Sequence, residues 1–160
     1  MRTADQHLRK QLTNRTGDRS DEILALREDI GLLDAQHNQT LKVIIAEFGF
    51  PGKSKVGMDV THAFWVLVMH QDEDVELQER VLEWMESEKD TGEVVKRDIA
   101  YLADRVAVNR GRCQHYGTQT KYDERQEKWT TFPICDQKKM KKLRKEMELM
   151  PFSTQMKRLQ

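Results

Sequence analysis

Two histidines, His62 and His70, are the side chains best suited to chemistry within the apolar segment 58–71. They are eight residues apart, with Val66 midway, so a helix would place both on roughly one face. A rise of 1.5 Å per residue separates their backbones by about 12 Å, which suits opposite ends of a ligand better than one metal ion. Imidazole is a common general acid or base near neutral pH. The alternative is that each ring only hydrogen-bonds a neighbouring group.

A second polar set interrupts the apolar pattern of the segment 94–110 and continues just beyond it. It consists of Asp104, Arg105, Asn109 and Arg112, the last three at spacings of four and three residues. The forked guanidinium of Arg105 suits a carboxylate or a phosphate, and Asp104 could orient that arginine or a histidine across the domain. A salt bridge between helices is the structural alternative.

A run of hydrogen-bonding side chains follows directly, around a glycine that permits close backbone approach. The run is Gln114, His115, Tyr116, Gly117, Thr118 and Gln119. We expect it to line a binding site, although a turn that enters a hairpin has the same composition.

No metal site or organic cofactor is predicted. The sequence has no phosphate-binding glycine motif, nucleophile elbow, Cys-x-x-Cys or His-Glu-x-x-His. A zinc site is conceivable, but no pair of the candidate histidines has a customary ligand spacing. Those candidates are His37, His62, His70 and His115.

The elements that must position these residues are mostly helical. A long helix is predicted from Ser20, its N-cap, to Gly49, with an apolar stripe at spacings of three and four. Segment 58–71 is apolar on nearly every side, so we predict a central helix packed by its neighbours. Two more helices follow near residues 72–91 and 94–110. The stripe of the first helix comprises Leu26, Ile30, Leu33, His37, Leu41, Ile44 and Phe48.

The predicted fold is therefore mainly α, a single-domain bundle with a small hairpin or ordered loop near residues 113–134. A last, basic helix is predicted over residues 137–150, ended by Pro151. Residues 1–20 are predicted to be a mobile polar arm or a frayed short helix, residues 21–150 the domain, and residues 151–160 a tail.

Composition gives no preference for a charged partner, because 27 Lys and Arg balance 27 Asp and Glu. No apolar run approaches the roughly 20 residues of a membrane span, and no secretory leader is visible, so a cytoplasmic location is predicted. Cys113 and Cys135 are expected to be thiols there. The lysines of residues 137–150 would suit nucleic acid, but a solvated helix face explains them as well. The oligomeric state is left open, including a homodimer.

Four ordered segments of the chain resemble a bacterial family catalogued as domain of unknown function 6624. The resemblance spans roughly residues 30–135 and supplies no reaction. Its matching positions include many of the polar residues singled out above. They are Asp34, Asn38 and residues 41–45; His62, Trp65, Leu67, Val68 and His70; residues 101–105; and Gly111, Gln114, Tyr116, Gly117, Thr118 and Gln119.

Together these observations predict a small soluble enzyme that acts on a polar or anionic small molecule by histidine acid/base chemistry, as a hydrolase or a lyase. The predicted catalytic residues are His62, His70 and Asp104. The alternative is a binding module for a small molecule or a protein, without turnover. The predicted substrate-binding residues are Trp65, Arg105, Asn109, Arg112, Gln114, Tyr116, Thr118 and Gln119.

Overall fold

The computed structural model describes residues 2–13 and 20–159. Within these ranges the chain is mainly helical, with one two-stranded antiparallel sheet, as predicted. The elements in chain order are α1 (Arg2–Thr13), α2 (Asp21–Phe48), α3 (Lys53–Val56), α4 (Met58–Met69), α5 (Val75–Ser87), α6 (Lys96–Asn109), β1 (Thr120–Asp123), β2 (Lys128–Thr131), α7 (Gln137–Glu146) and α8 (Phe152–Leu159).

Helix α2 has the predicted bounds, with Ser20 as its N-cap residue and Gly49 as its C-cap at φ 71°. One face is buried, formed by Ile23, Ile30, His37, Leu41 and Ile45. Phe48 was predicted on the apolar stripe but is 70% exposed, because the last turn extends beyond the core. The end of this helix therefore presents apolar surface to solvent.

Helix α4 is central, as predicted, and packs against α1, α2, α3, α5 and α6. Its buried residues are Thr61, Phe64, Leu67 and Val68. It is not covered on every side, since Val60 is 52% exposed and lines an open apolar groove with Ala63. The prediction of burial all round is thus too strong, because an apolar composition does not require a neighbour on each face.

The C-terminal region differs from the predicted single helix over residues 137–150. Helix α7 ends at Glu146, and Glu148 adopts a left-handed φ of 56°, which breaks the helix. The amide of Leu149 then donates to the carbonyl of Arg144. Helix α8 lies in the range predicted as a tail.

Cys113 and Cys135 form a disulfide, so the expectation of thiols is wrong. An isolated parallel bridge between Gln114 and Ile134 holds the flanking backbone segments together. The amide of Cys135 donates to the carbonyl of Gln114 at 2.9 Å. The cysteines are thus brought together by loop pairing across 22 positions, which cysteine count alone does not reveal.

At the N-terminus, Arg2–Thr13 form helix α1, which contacts α2 and α4. Residues 1 and 14–19 of the predicted polar arm lie outside the described residues. The division into an arm, a domain and a tail stays a prediction. Among the described helices, none has the length and apolar character needed to cross a membrane.

Candidate functional site

His70 follows the last turn of α4 as its C-cap residue and faces helix α1. Its Nδ1 lies 2.9 Å from Oδ2 of Asp5, whose side chain is only 1% exposed. The distance suits a hydrogen bond, but the ring N–H does not point at the oxygen, so Nδ1 has no aligned partner among the described residues. We interpret the pair as a close electrostatic contact. Burial, with the nearby charge of Arg9, lowers the pKa of His70.

An open cleft of about 490 Å³ lies beside His70. Helix α2 forms one wall, and the turn after α4 forms the other. A glycine, Gly31, lies on the α2 wall, and a Cβ placed there would meet nothing within 4 Å. Glycine in a helix interior costs roughly 0.5–1 kcal/mol relative to alanine, and packing does not require it here. The other lining residues include Arg9, Arg27, Asp34, Asn38, His70, Asp72, Glu73 and Asp74.

Most charges along this cleft are already paired. Arg9 donates to both Asp5 and Asp34. Asp74 accepts from Asn38 at 2.9 Å and lies 2.7 Å from Nζ of Lys42. These contacts hold α1, α2 and the start of α5 around the cleft and fix its shape.

His62, the other predicted catalytic histidine, is not brought to this cleft. Its Nδ1 forms an aligned 2.8 Å hydrogen bond with Oδ2 of Asp98 on α6, and its side chain is 35% exposed. The ring stacks on Trp65, whose Nε1 donates to the carbonyl of Asp98. His62 and Trp65 therefore join α4 to the first turn of α6. The two histidines do not share a cleft.

Asp104 lies against the loop after α6 and orients no histidine. Its carboxylate is 1% exposed and accepts four hydrogen bonds. The donors are the amides of His115, Tyr116 and Thr118 and the hydroxyl of Thr118, at 2.8 to 3.1 Å. Asp104 thus anchors the loop through its backbone.

Gln114, at the start of the loop, has a similar anchoring role. Its Nε2 donates to the carbonyls of Gln119 and Phe132 and to the hydroxyl of Thr131, while its Oε1 accepts from the amide of Gln119. Gly117 has φ 68°, and a Cβ there would lie 3.0 Å from Sδ of Met140 and 3.1 Å from the Phe152 ring. The side chains of Met140 and Phe152 therefore leave little room for a larger residue at this position.

Three further predicted binding residues lie at the end of α6 and just beyond. Arg105 donates to both carboxylate oxygens of Asp72, and Asn109 donates to the same carboxylate at 2.9 Å. Arg112 is 64% exposed and lies 3.6 Å from Glu79. Because Asp72 lines the cleft, the hydrogen bonds from Arg105 and Asn109 hold one residue of the cleft wall in position.

The family profile described as "Family of unknown function (DUF6624)" matches residues 1–160, the whole chain. The chain belongs to this family. No curated protein and no solved structure matches it.

In this DUF6624 chain, the residues that resemble the family pattern serve two different purposes. Asp34, Asn38 and His70 line the cleft. Asp104 and Gln114 instead hold the loop 113–119 in place. The residues that resemble the family pattern therefore include both cleft residues and loop anchors. Of these two groups, the cleft residues are the ones that a ligand could contact.

Sequence reasoning missed Asp5 and Arg9, which lie beside His70, and gave His37 no role with Asp5 and Asp34, to which it is close. Asp5 and Arg9 lie in the segment predicted as an arm, where no apolar periodicity indicated packing. His37 was placed on the core stripe and considered only as a zinc candidate. The spacing of Asp34 and His37, three residues apart on one helix face, could have identified them as a pair.

Arg105→Lys should lower the free energy of unfolding by about 1 kcal/mol, because lysine loses the forked contact with Asp72. Both side chains are partly exposed, at 31% and 41%, which keeps the effect small. Urea unfolding monitored by tryptophan fluorescence measures it, with Arg112→Lys as the control. Unchanged stability with weakened binding of a cleft ligand would instead identify Arg105 as a ligand anchor.

Proposed function

We propose that the protein is an enzyme that transforms a polar small molecule in the cleft beside His70, with this histidine as general acid or base. The supporting observation is the position of the ring. Nδ1 is buried beside Asp5, which leaves Nε2 as the nitrogen available to a ligand. A small rotation would align Nδ1–H with the Asp5 carboxylate, because the two atoms are already 2.9 Å apart.

The charged residues that line the cleft indicate which kind of substrate it would bind. Arg27 and Glu73 are exposed at the cleft and have no partner among the described residues, whereas Asp72 and Asp74 are paired. Arg27 provides a cation for an anionic group, and Glu73 an acceptor for a donor. A polar substrate with an anionic group therefore fits best, and hydrolysis or a lyase-type proton transfer remains the proposed reaction class.

The test begins with thermal-shift screening of a panel of phosphate esters, carboxylates and amino acids, since a ligand of the native state raises the melting temperature. Each hit is then incubated with the protein and its products are analysed. We expect at least one hit to be converted. Ligands that bind but stay unchanged would favour the non-catalytic module.

His70→Ala is expected to lower turnover of such a substrate by roughly 10²-fold or more, the usual contribution of a general acid or base. Gly31→Trp should also abolish turnover, because its side chain would fill the cleft. The control is Gly31→Ala, which should retain turnover and increase stability by up to about 1 kcal/mol. Full activity in both His70→Ala and Gly31→Trp would rule out this cleft as the reaction site.

One observation favours the alternative of a protein-binding module. An apolar groove of about 740 Å³ lies between α2 and α4, next to α3. Phe48, Val56 and Val60 line it and are all exposed. Exposed apolar patches of this kind mark interaction surfaces in many proteins. A partner bound here would leave the cleft beside His70 free.

The disulfide bears on the location of the protein. Disulfides persist in oxidising compartments and are rare in a reducing cytoplasm. The bond between Cys113 and Cys135 therefore favours an oxidising compartment over the predicted cytoplasmic location.

A further inference from the structure

A compact polar cluster lies behind the cleft, where α1 crosses α2. It contains Asp5 from α1 and both Asp34 and His37 from α2. One ligand atom from each of the three residues lies within 4.8 Å of the other two. Carboxylate oxygens and imidazole nitrogen are the ligands that divalent transition metals take from proteins.

The fold brings these side chains together for simple reasons. Asp34 and His37 are three residues apart, so they lie on the same face of α2. Helix α1 packs on α2 and α4 and brings the Asp5 side chain into the interior, where it is 1% exposed. A carboxylate is rarely buried this deeply unless a cation or several donors accompany it.

His37 provides an independent observation. The residue is only 3% exposed, yet its Nδ1 makes no hydrogen bond within the described part of the chain. A buried ring nitrogen without a partner costs free energy and is uncommon in native proteins. A metal ion bound directly at Nδ1 would remove that cost.

Arg9 places a cation at this position. Its guanidinium lies between the two aspartates, with Nε 2.7 Å from Oδ1 of Asp5 and Nη2 bonded to Asp34. The Arg9 side chain is 26% exposed and lines the cleft. It can therefore swing toward solvent when another cation takes its place, whereas Asp5 and His37 are held inside.

We propose that Asp5, Asp34 and His37 bind one divalent transition-metal ion in exchange for the Arg9 guanidinium. One nitrogen and two oxygen ligands suit Zn²⁺, Mn²⁺ or Fe²⁺ better than Ca²⁺ or Mg²⁺, which prefer oxygen alone. Three protein ligands leave a coordination position for water or substrate, as in catalytic zinc sites. Asp34 lines the cleft, so that position is next to it.

The test uses the full-length, tag-free protein after treatment with a chelator. It is titrated with Co²⁺ under visible spectroscopy and with Zn²⁺ and Mg²⁺ by calorimetry. We expect one equivalent of Co²⁺ to give a d–d absorption band, Zn²⁺ to displace it, and Mg²⁺ to bind far more weakly. Absence of stoichiometric Co²⁺ and Zn²⁺ binding would overturn the proposal.

Variants locate the site. His37→Ala and Asp34→Asn should each weaken Zn²⁺ binding by at least tenfold, while His115→Ala, which removes an exposed histidine elsewhere, should not change it. Arg9→Gln should strengthen binding, because it removes the competing cation. Circular dichroism checks that each variant is folded. Wild-type affinity in both folded ligand variants, or weaker binding in Arg9→Gln, would contradict the assignment.

The metal inference goes beyond the proposed function, and the two can fail separately. His70→Ala is expected to lose turnover but to keep stoichiometric Zn²⁺ binding, because His70 is outside the proposed ligand set. A protein that binds Zn²⁺ but converts no compound would retain this inference and lose the enzymatic one.

Discussion

Asp104→Asn is expected to lower the free energy of unfolding by roughly 3 to 5 kcal/mol. Each carboxylate oxygen of Asp104 accepts two hydrogen bonds from the loop. If the NH₂ group of the new amide faces His115 and Tyr116, it meets two backbone donors; if it faces Thr118, it meets one backbone donor and a hydroxyl that can turn to accept from it. At least one charge-assisted hydrogen bond, worth roughly 1.5 to 3 kcal/mol, is therefore lost; a buried donor then faces the NH₂ group, and the remaining bonds lose the charge of their acceptor.

Equilibrium urea denaturation monitored by circular dichroism and tryptophan fluorescence gives the change. The matched control is Asp90→Asn, since the Asp90 side chain is 79% exposed and its ion pair with Lys96 is at the surface. That variant should change stability by less than about 0.5 kcal/mol. A loss at Asp104 no larger than that of the control would refute its assignment as the loop anchor.

Arg144→Met is expected to have a comparable effect, roughly 2 to 4 kcal/mol. Arg144 is 2% exposed and donates to the carbonyls of Met150 and Tyr116 and to Oε1 of Gln155, at 2.6 to 2.9 Å. Burial lowers its pKa. Methionine fills a similar volume but leaves these three oxygens without their donor. Removing a buried charge offsets part of that loss, so the expected effect is smaller than for Asp104.

Lys141→Met, an exposed position on the same helix, is the control for Arg144. The double variant Asp104→Asn/Arg144→Met tests whether the two anchors are coupled. Both side chains bond the backbone of Tyr116, since Asp104 accepts from its amide and Arg144 donates to its carbonyl. We expect the double variant to lose less stability than the sum of the single losses. Strict additivity would indicate that the two anchors act independently.

Helix positions were predictable from the sequence where apolar periodicity and end signals agreed. Asp21–Phe48 is bounded by Ser20 and Gly49, which occupy the predicted N-cap and C-cap positions. Signals were weaker where a helix is stabilised by polar contacts. Helix α1 is held in part by Asp5, which lies close to His70, and by Arg9, which donates to Asp34, so these contacts come from distant parts of the chain and the local sequence resembles a polar arm.

The candidate site was also predictable only in part, because the polar contacts that form it join residues far apart in the sequence. His70 and Asp104 were both identified as chemically capable, but sequence cannot show that Asp104 faces backbone amides while His70 faces a carboxylate. The eight-residue spacing separates His62, within α4, from His70, its C-cap residue. It could not show that different helices, α6 and α1, would meet the two ends of α4 and separate the histidines into two environments.

The disulfide also has a consequence for limited proteolysis. Cys113 and Cys135 lie on either side of the hairpin, whose exposed turn contains Arg125 and is flanked by Lys121 and Lys128. Trypsin would cut first at such a turn. The disulfide would keep the two pieces of the cleaved chain covalently joined, so they would migrate as one band on a denaturing gel until a reductant separates them. The hairpin can therefore be cut at its turn while α6 stays linked to the segment that leads into α7.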